Sequence, residues 1–468
     1  TLVYTDTNPT DVFNYANVYV DSYQKIVADD AADNDWFGQS VSISGDYAIV
    51  GGYNQDADSG AAYIFKRNGT TWTKQQKLVV GDDAGPDDHF GFSVSLSGDY
   101  AIVGAYSGDP DVSVDSDAGV AYIFKRDGTT WTQQAKLVAG DAAGSDMFGI
   151  SVAISGDYAI VGAWFEDPGG TADAGSAYIF FRSGTTWTQQ QKLVAGDAGE
   201  GDYFGRSVAI SGDYAIVGAT REDPGVPPGV LNAGSAYIFF RSGTTWTQQD
   251  KLVAGDAGEG DAFGQSVAID GDYAIVGAWL EDPGVPPGVL NAGSAYIFFR
   301  SGTTWTQQAK LVAGDVGSGY QFGLSVAISG DYAIVGALLE EYDDIFRSGA
   351  AYIFFRSGTT WTQHTKLVAG DAESNDQFGK SVAISGDYAI VGAWLEDPGD
   401  PEVLDAGSAY IFTVSVDDLY LPVQLIPQYN QYGFSVSMSG DGTTFIAGAP
   451  GTQSNVYNGY GVGYTSPG

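Results

Sequence analysis

Carboxylates are the side chains best placed to do chemistry in this chain of 468 residues, which holds 58 Asp and Glu against 20 Lys and Arg. They recur in fixed patterns. One reads Asp-x-x-Glu-x-Asp, at Asp197, Glu200 and Asp202 and again at Asp256, Glu259 and Asp261. Calcium takes six to eight oxygens, several of them from carboxylates. Each triplet is therefore a candidate metal set, with backbone carbonyls and water completing the shell. A second pattern is Glu-Asp before Pro-Gly, at Glu222/Asp223 and Glu281/Asp282. The competing reading is structural: Asp caps its own turn, and acidic loops keep a protein soluble. In one copy of the triplet only Asp315 remains.

Three indoles, Trp164, Trp279 and Trp394, open the segments that hold Glu-Asp pairs. With Glu222, Asp223, Glu281 and Asp282 they form the candidate ligand-contact set. A second series (Trp72, Trp131, Trp187, Trp246, Trp305, Trp361) lies in amphipathic Thr-Trp-Thr segments and is expected to pack over an outer layer. Asn68-Gly69-Thr70 is an N-x-T sequon, which makes Asn68 a candidate glycosylation site. No catalytic set emerges. His89 and His364 have no common neighbours, Cys is absent, and no Ser is paired with a His. Paired carboxylates abound, but a glycosidase needs one special pair, and none stands apart. The expectation is a non-enzymatic protein.

The elements that carry these residues repeat. F-G-x-S-V-x-[IL]-S-G-D-Y-A-I-V-G-[AG] starts at Phe37, Phe90, Phe148, Phe204, Phe263, Phe322 and Phe378, with one change at Asp270 and a diverged copy at Tyr432. A period near 50 residues marks a propeller or a solenoid. Within one unit, Ser207–Ser211 reads as a strand, Ser211-Gly212-Asp213 as a hairpin turn, and Tyr214–Ala219 as a second strand. Ser235–Arg241 and Thr245–Ala254 read as the third and fourth. Four antiparallel strands per unit predict an all-β propeller. Pairing the C-terminal copy with Gln24–Ala28 and Asn17–Asp21 gives eight blades, closed by both termini; seven is the alternative count. The expected organisation is an arm over residues 1–16 and one propeller over 17–468.

The net charge of −38 argues against nucleic acid and anionic membrane as partners. No stretch reaches 18 apolar residues, so no membrane-spanning helix is expected. The chain opens on Thr1 rather than Met, which reads as a processed form or a fragment.

The F-G opening and the following I-V-G-A closely resemble the FG-GAP repeat, the blade of integrin α-subunit propellers and of many secreted bacterial and archaeal proteins. The Trp-bearing strand and K-L-V-A-G-D make the bacterial-type branch the nearer likeness. The resemblance implies an extracellular propeller with roles in adhesion or assembly. Integrin-type blades often carry a D-x-D-x-D-G-x-x-D calcium loop between strands one and two. Here that connection is only Ser155-Gly156-Asp157 and its equivalents, so that calcium site is not expected.

The long connections between strands two and three, and those between blades, emerge on one face, and both are acidic. The opposite face holds short turns with Arg182, Arg241, Arg300 and Arg356 beside the S-G-D aspartates. Two unlike faces favour head-to-tail contacts. The first expectation is therefore an extracellular structural protein that assembles with copies of itself into a fibre or coat. The alternative is a monomeric adhesin that binds a protein or glycan through the acidic face, with or without calcium.

Overall fold

The computed structural model describes residues 23–55, 59–81, 85–110, 117–225, 230–284, 289–399 and 403–414, with the backbone of 435–438, 444–449 and 460–465. The chain divides into two compact units, Thr1–Val414 and Ser415–Gly468. The first is a ring of seven four-stranded antiparallel blades. This corrects the expected count of eight. Tyr23–Ile26 does supply a fourth strand, but it pairs with Ser408–Thr413, in the blade that begins at Phe378. The sequence after Thr413 lacks the Thr-Trp-Thr strand of the other units, and the N-terminal Gln24-Lys25-Ile26 takes its place. The copy at Tyr432 contributes instead to a separate three-stranded sheet of Ser435–Met438, Thr444–Ala449 and Tyr460–Thr465, in the second unit. Asn17–Asp21 and the arm over residues 1–16 lie outside the described residues.

Each blade is built from a repeating pattern of burial. The second strand, Tyr214–Ala219 in the fourth blade, is covered on both faces. Ala215 and Val217 pack with Ile160 and Ile179 of the blade before. Ile216 packs with Val267 and Ile269 of the blade after. Fully burying such a Val or Ile stabilises by about 1.5–3 kcal/mol. Seven clusters of this kind fill the seven spaces between blades. The one joining last blade to first contains Ile390 and Ile411 with Val41 and Val50.

The first strands run innermost and are tied to one another around the ring. Ser207 Oγ donates to the carbonyl of Gly264 in the next blade at 2.8 Å, and Ser266 Oγ to that of Gly323 at 2.9 Å. The glycine after each motif Phe must be glycine: Gly264 has φ +91°, and a Cβ there would lie 2.4 Å from the Ser235 carbonyl oxygen. Its partner Gly218 is equally confined, since a Cβ would stand 2.0 Å from the Gly264 oxygen. The F-G and V-G dipeptides are thus two sides of one blade-to-blade contact.

Candidate functional site

The acidic face is organised by lysines. In the fourth blade, Lys251 Nζ donates to Asp197 at 2.7 Å and to Glu222 at 2.6 Å. Tyr237 donates its hydroxyl proton to Asp197 at 2.9 Å, and Ser235 donates to Glu222 at 2.5 Å. Lys251 and Tyr237 stand on outer strands, Glu222 follows strand two, and Asp197 comes from the preceding interblade connection. The cluster therefore bolts two blades together. It recurs as Lys310 with Asp256, Glu281 and Tyr296, and as Lys25 with Asp371, Glu396 and Tyr410. In the sixth blade Lys366 bonds Asp315 at 2.7 Å and also pairs with Glu340. Burial works against the Lys251 charge, yet its bonds to Asp197 and Glu222 hold its pKa above the ordinary lysine value. Burial likewise opposes the Asp197 charge, and the bonds from Lys251 and Tyr237 overcome it and hold Asp197 below the usual range.

The structure separates the two candidate calcium triplets into different tasks. Asp197 and Asp256 are lysine partners. Asp202 and Asp261 cap their own turns, accepting from the N–H of Gly199 and of Gly258 at 2.6 Å. Glu200 is exposed and Glu259 is exposed. Among the described residues no group of three or more His, Asp or Glu side chains is arranged to hold a metal ion. Burial pushes Asp261 up to about 6, helped by Glu281, Asp282 and Asp256 and opposed by the Gly258 N–H. Asp146 and Asp376 are raised to about 6 for the same reasons.

Of the candidate ligand contacts, Glu222 and Glu281 are buried in the lysine clusters, at 4% and 3% exposure. Asp223 and Asp282 accept from the N–H of Asn232 and Asn291 at 2.7 and 2.6 Å, which shapes their loops. Trp164, Trp279 and Trp394 are half-buried. Trp164 stacks on Phe165 with centroids 4.5 Å apart, and Trp394 lies 5.5 Å from Trp36. Asn68 is exposed where the third strand of the first blade turns into the fourth. The other Trp series, expected over an outer layer, is buried between blades: Trp246 is 2% exposed and meets Tyr158 of the blade before, edge to face.

On the opposite face the hairpin aspartates of the first six blades pair with arginines, as Asp213 with Arg241 and Asp157 with Arg182. The guanidinium of Arg241 also covers the Tyr158 ring, 4.4 Å from its centroid.

One region escaped sequence reasoning. The residue before each motif Phe carries a left-handed backbone: Trp36, His89, Met147, Tyr203, Ala262, Gln321 and Gln377 have φ between 54° and 61°. Such values are uncommon outside glycine. The residue after the motif Gly varies equally, as Gln39, Phe92, Ile150, Arg206, Gln265, Leu324 and Lys380. So does the residue after strand two: Tyr53, Tyr106, Trp164, Thr220, Trp279, Leu338 and Trp394. These three sets meet where the innermost strands open onto the long-loop face. His89 lies flat on Tyr106 with centroids 4.8 Å apart, Phe92 meets Tyr106 at 4.7 Å, and Tyr53 meets Trp36 at 5.1 Å. They form a collar around the axis of the ring. The signal was in the sequence: blades whose strands agree almost everywhere differ at these positions.

Farther out on the same face, Leu231, Leu290, Phe346 and Leu404 occupy one loop position in four successive blades and are 49%, 56%, 49% and 57% exposed. The first three blades hold Ala57, Ser116 and Ala172 at that position. The carbonyl of Leu231 accepts from the N–H of Gly260, and that of Leu290 from Gly319, both at 2.9 Å, which joins the two kinds of acidic connection on one face.

The fold and this axial collar define a seven-bladed propeller with a near-uniform frame and a variable mouth. The chain belongs to the FG-GAP repeat family, whose model matches residues 21–65, 72–124, 131–180, 187–239, 246–298, 305–354 and 361–412. Comparison with curated proteins returns no match. Among solved structures the chain is similar to Saccharomyces cerevisiae Sqt1, at 9% identity and a TM-score of 0.46, over 85% of this chain and 98% of that one. The propeller assignment rests on strand pairing and not on that likeness.

Proposed function

We propose that this chain is a non-enzymatic, extracellular binding module that engages a protein or glycan through the long-loop face, centred on the axial collar. The observation that carries this reading is that the collar positions differ from blade to blade while the strands that frame them stay nearly the same. Packing between blades requires near-identity, and the S-G-D turns on the opposite face keep it. A ring used only as a spacer has no reason to vary around its mouth. Half-buried aromatic side chains are also a usual lining of recognition sites. The test displays the full chain against arrays of glycans and of purified cell-surface proteins. Binding is expected, and it should be lost in the Trp279→Ala/Trp394→Ala variant while surviving Arg182→Ala/Arg241→Ala on the other face. Binding that follows the opposite face, or none across both arrays, overturns the reading.

A second reading, assembly with copies of itself, is favoured by the arc of Leu231, Leu290, Phe346 and Leu404, which a head-to-tail contact would cover. Sedimentation velocity across a hundredfold range of concentration decides it. A single species of one chain throughout would rule assembly out.

A further inference from the structure

We propose that the sixth blade carries a sugar-binding cleft on the long-loop face, formed by Tyr320, Glu341, Phe346 and Arg347, which takes one neutral pyranose. The cleft uses none of the collar positions, and it stands whether or not the collar recognises a ligand.

A cavity of about 370 Å³ opens between the connection leading into the sixth blade, at residues 318–320, and the loop after its second strand, at residues 339–347. Ligand sites run from about 300 to about 1,000 Å³, so this one suits a single ring. Three loop-shaping residues are given up here together. The residue two before the motif Phe is Asp in the other six blades, and each caps its own turn by accepting a backbone N–H at 2.6 to 2.7 Å. In the sixth blade it is Tyr320, which has no carboxylate to cap with. Its ring lies over Gly317, where a Cβ would stand 2.3 Å from Tyr320 Cζ.

The loop position after Phe346 is left-handed. Asp117, Asp173, Asn232, Asn291 and Asp405 hold it in the five other blades described there, and Asp and Asn are the types that tolerate it. The sixth blade places Arg347 there, at φ 54°. In the same five blades the N–H of that residue donates to an Asp that follows the second strand. The sixth has Glu341 in that place, and it makes no hydrogen bond or ion pair among the described residues. All three replacements line the one cavity, with Phe346 where the neighbouring blades carry Leu231, Leu290 and Leu404. Local rules broken together at one place mark a functional site. The backbone around them is held firmly. The carbonyl of Phe346 accepts from the N–H of Asn375 at 2.9 Å, that of Arg347 from Gln377 at 3.2 Å, and that of Tyr320 from Leu339 at 3.3 Å.

The chemistry on offer is mixed. Phe346 is 49% exposed, with the Arg347 guanidinium 4.8 Å from its ring centre, and Tyr320 and Leu339 are half-buried. Ser318 Oγ accepts from the N–H of Leu290 at 3.2 Å, which leaves its proton to donate. A pyranose answers both kinds of surface. Its C–H face covers the aromatic rings and removes apolar area from water. Its hydroxyls accept from the guanidinium and donate to the Glu341 carboxylate. An apolar side chain in the cleft would desolvate those two charged groups without pairing them. The net charge of −38 disfavours an anionic ligand, and the one cation lining the cleft is already matched by one anion.

The test titrates the full chain with the methyl glycosides of glucose, galactose, mannose and N-acetylglucosamine, followed by calorimetry and ligand-observed NMR, with methyl glucuronide as the charged control. The comparison is with Phe346→Leu and with Tyr320→Asp/Glu341→Asp/Arg347→Asn. Every substitution installs a residue that other blades already carry at that position. The expected result is saturable uptake of one neutral glycoside per chain, at least about tenfold weaker in Phe346→Leu and absent in the triple variant. The melting temperature of the triple variant should be unchanged or higher, because a capped turn and an Asn in the left-handed region are restored. If it is lower, the three residues serve packing, and the exposed Phe346→Leu then decides alone.

No saturable uptake of any neutral glycoside, a preference for the glucuronide, or uptake unchanged in Phe346→Leu overturns the proposal. So does uptake that disappears in Trp279→Ala/Trp394→Ala, which would assign the sugar to the collar. Uptake that needs Phe346 and survives the loss of both indoles, with no indole-dependent binding on either array, leaves this cleft standing and removes the collar reading.

Discussion

The hydroxyl of Ser381, in the last blade, donates to the carbonyl of Gly38, in the first, at 2.8 Å. Six other serine-to-glycine bonds of the same kind, such as Ser40 to Gly91 at 3.0 Å, link the remaining neighbours. The pair is separated by 343 residues in sequence. It is local in space because the last blade packs against the first.

Deleting residues 1–28 is expected to abolish the cooperative unfolding of the ring. The deletion bares the edge of Ser408–Thr413 and strands Glu396, 5% exposed, without Lys25. Reinserting Tyr23–Ala28 behind Val414 should restore one sharp transition in calorimetry. A deletion that melts like the intact chain would show that closure contributes nothing.

Lys251→Met should cost about 3–5 kcal/mol, the usual loss when one partner of a buried ion pair is removed. Glu222 is left charged and enclosed, with only Ser235 to bond it. Lys251→Met combined with Glu222→Gln should recover most of that loss. Chemical denaturation of the two variants measures the difference.

Gly218→Ala is expected to cost at least about 3 kcal/mol, the upper range for overpacking. Its Cβ would stand 2.0 Å from the Gly264 carbonyl oxygen, an atom of rigid backbone. Gly212→Ala, in the hairpin turn at φ +58°, meets no atom within 4 Å and should cost only the strain of the left-handed backbone, about 1–2 kcal/mol. A larger loss at Gly212 than at Gly218 in thermal melts would contradict the packing described.

Stability should peak at mildly acidic pH. Asp146, Asp261 and Asp376 are raised from 3.8 to about 6, so their contribution is full below pH 3.8 and is lost as pH rises through about 6. Asp141, Asp197 and Asp256 are lowered, so theirs is full above pH 3.8 and is lost as pH falls through their depressed values. The melting temperature should therefore rise as pH drops from about 7 toward about 5, then fall in stronger acid. Asp146→Asn/Asp261→Asn/Asp376→Asn keeps an acceptor for the turn N–H and should flatten the first limb.

Calcium should not raise the melting temperature relative to chelator. Asp197 and Asp256 are occupied by lysines, and Asp202 and Asp261 by their own turns. A saturable calcium shift that disappears in Asp202→Asn/Asp261→Asn would reinstate the triplets as a metal set.

The blade itself was legible in the sequence because its short apolar runs recur in each unit and are divided by Ser-Gly-Asp turns. Tyr214–Ala219 and Ser235–Ser242 lie where that pattern puts them. The blade count was misread because Gln24–Ala28 matches a fourth strand equally well in either ring. Only pairing reveals that Ser408–Thr413 lacks a partner of its own. The acidic loops were legible as acidic but not as paired. Lys251 lies about fifty residues from Asp197 and about thirty from Glu222, and spacing along the chain carries no sign of that meeting.

The left-handed residues before each motif Phe have a further consequence. At Trp36, His89, Met147, Tyr203, Ala262, Gln321 and Gln377 the unusual φ precedes the glycine contact in every blade, and six residue types of differing size and polarity adopt it. The frame therefore does not select the side chain it displays. Such a ring can change the side chains at its rim one blade at a time, by duplication and drift, while the interfaces that hold the molecule together stay untouched.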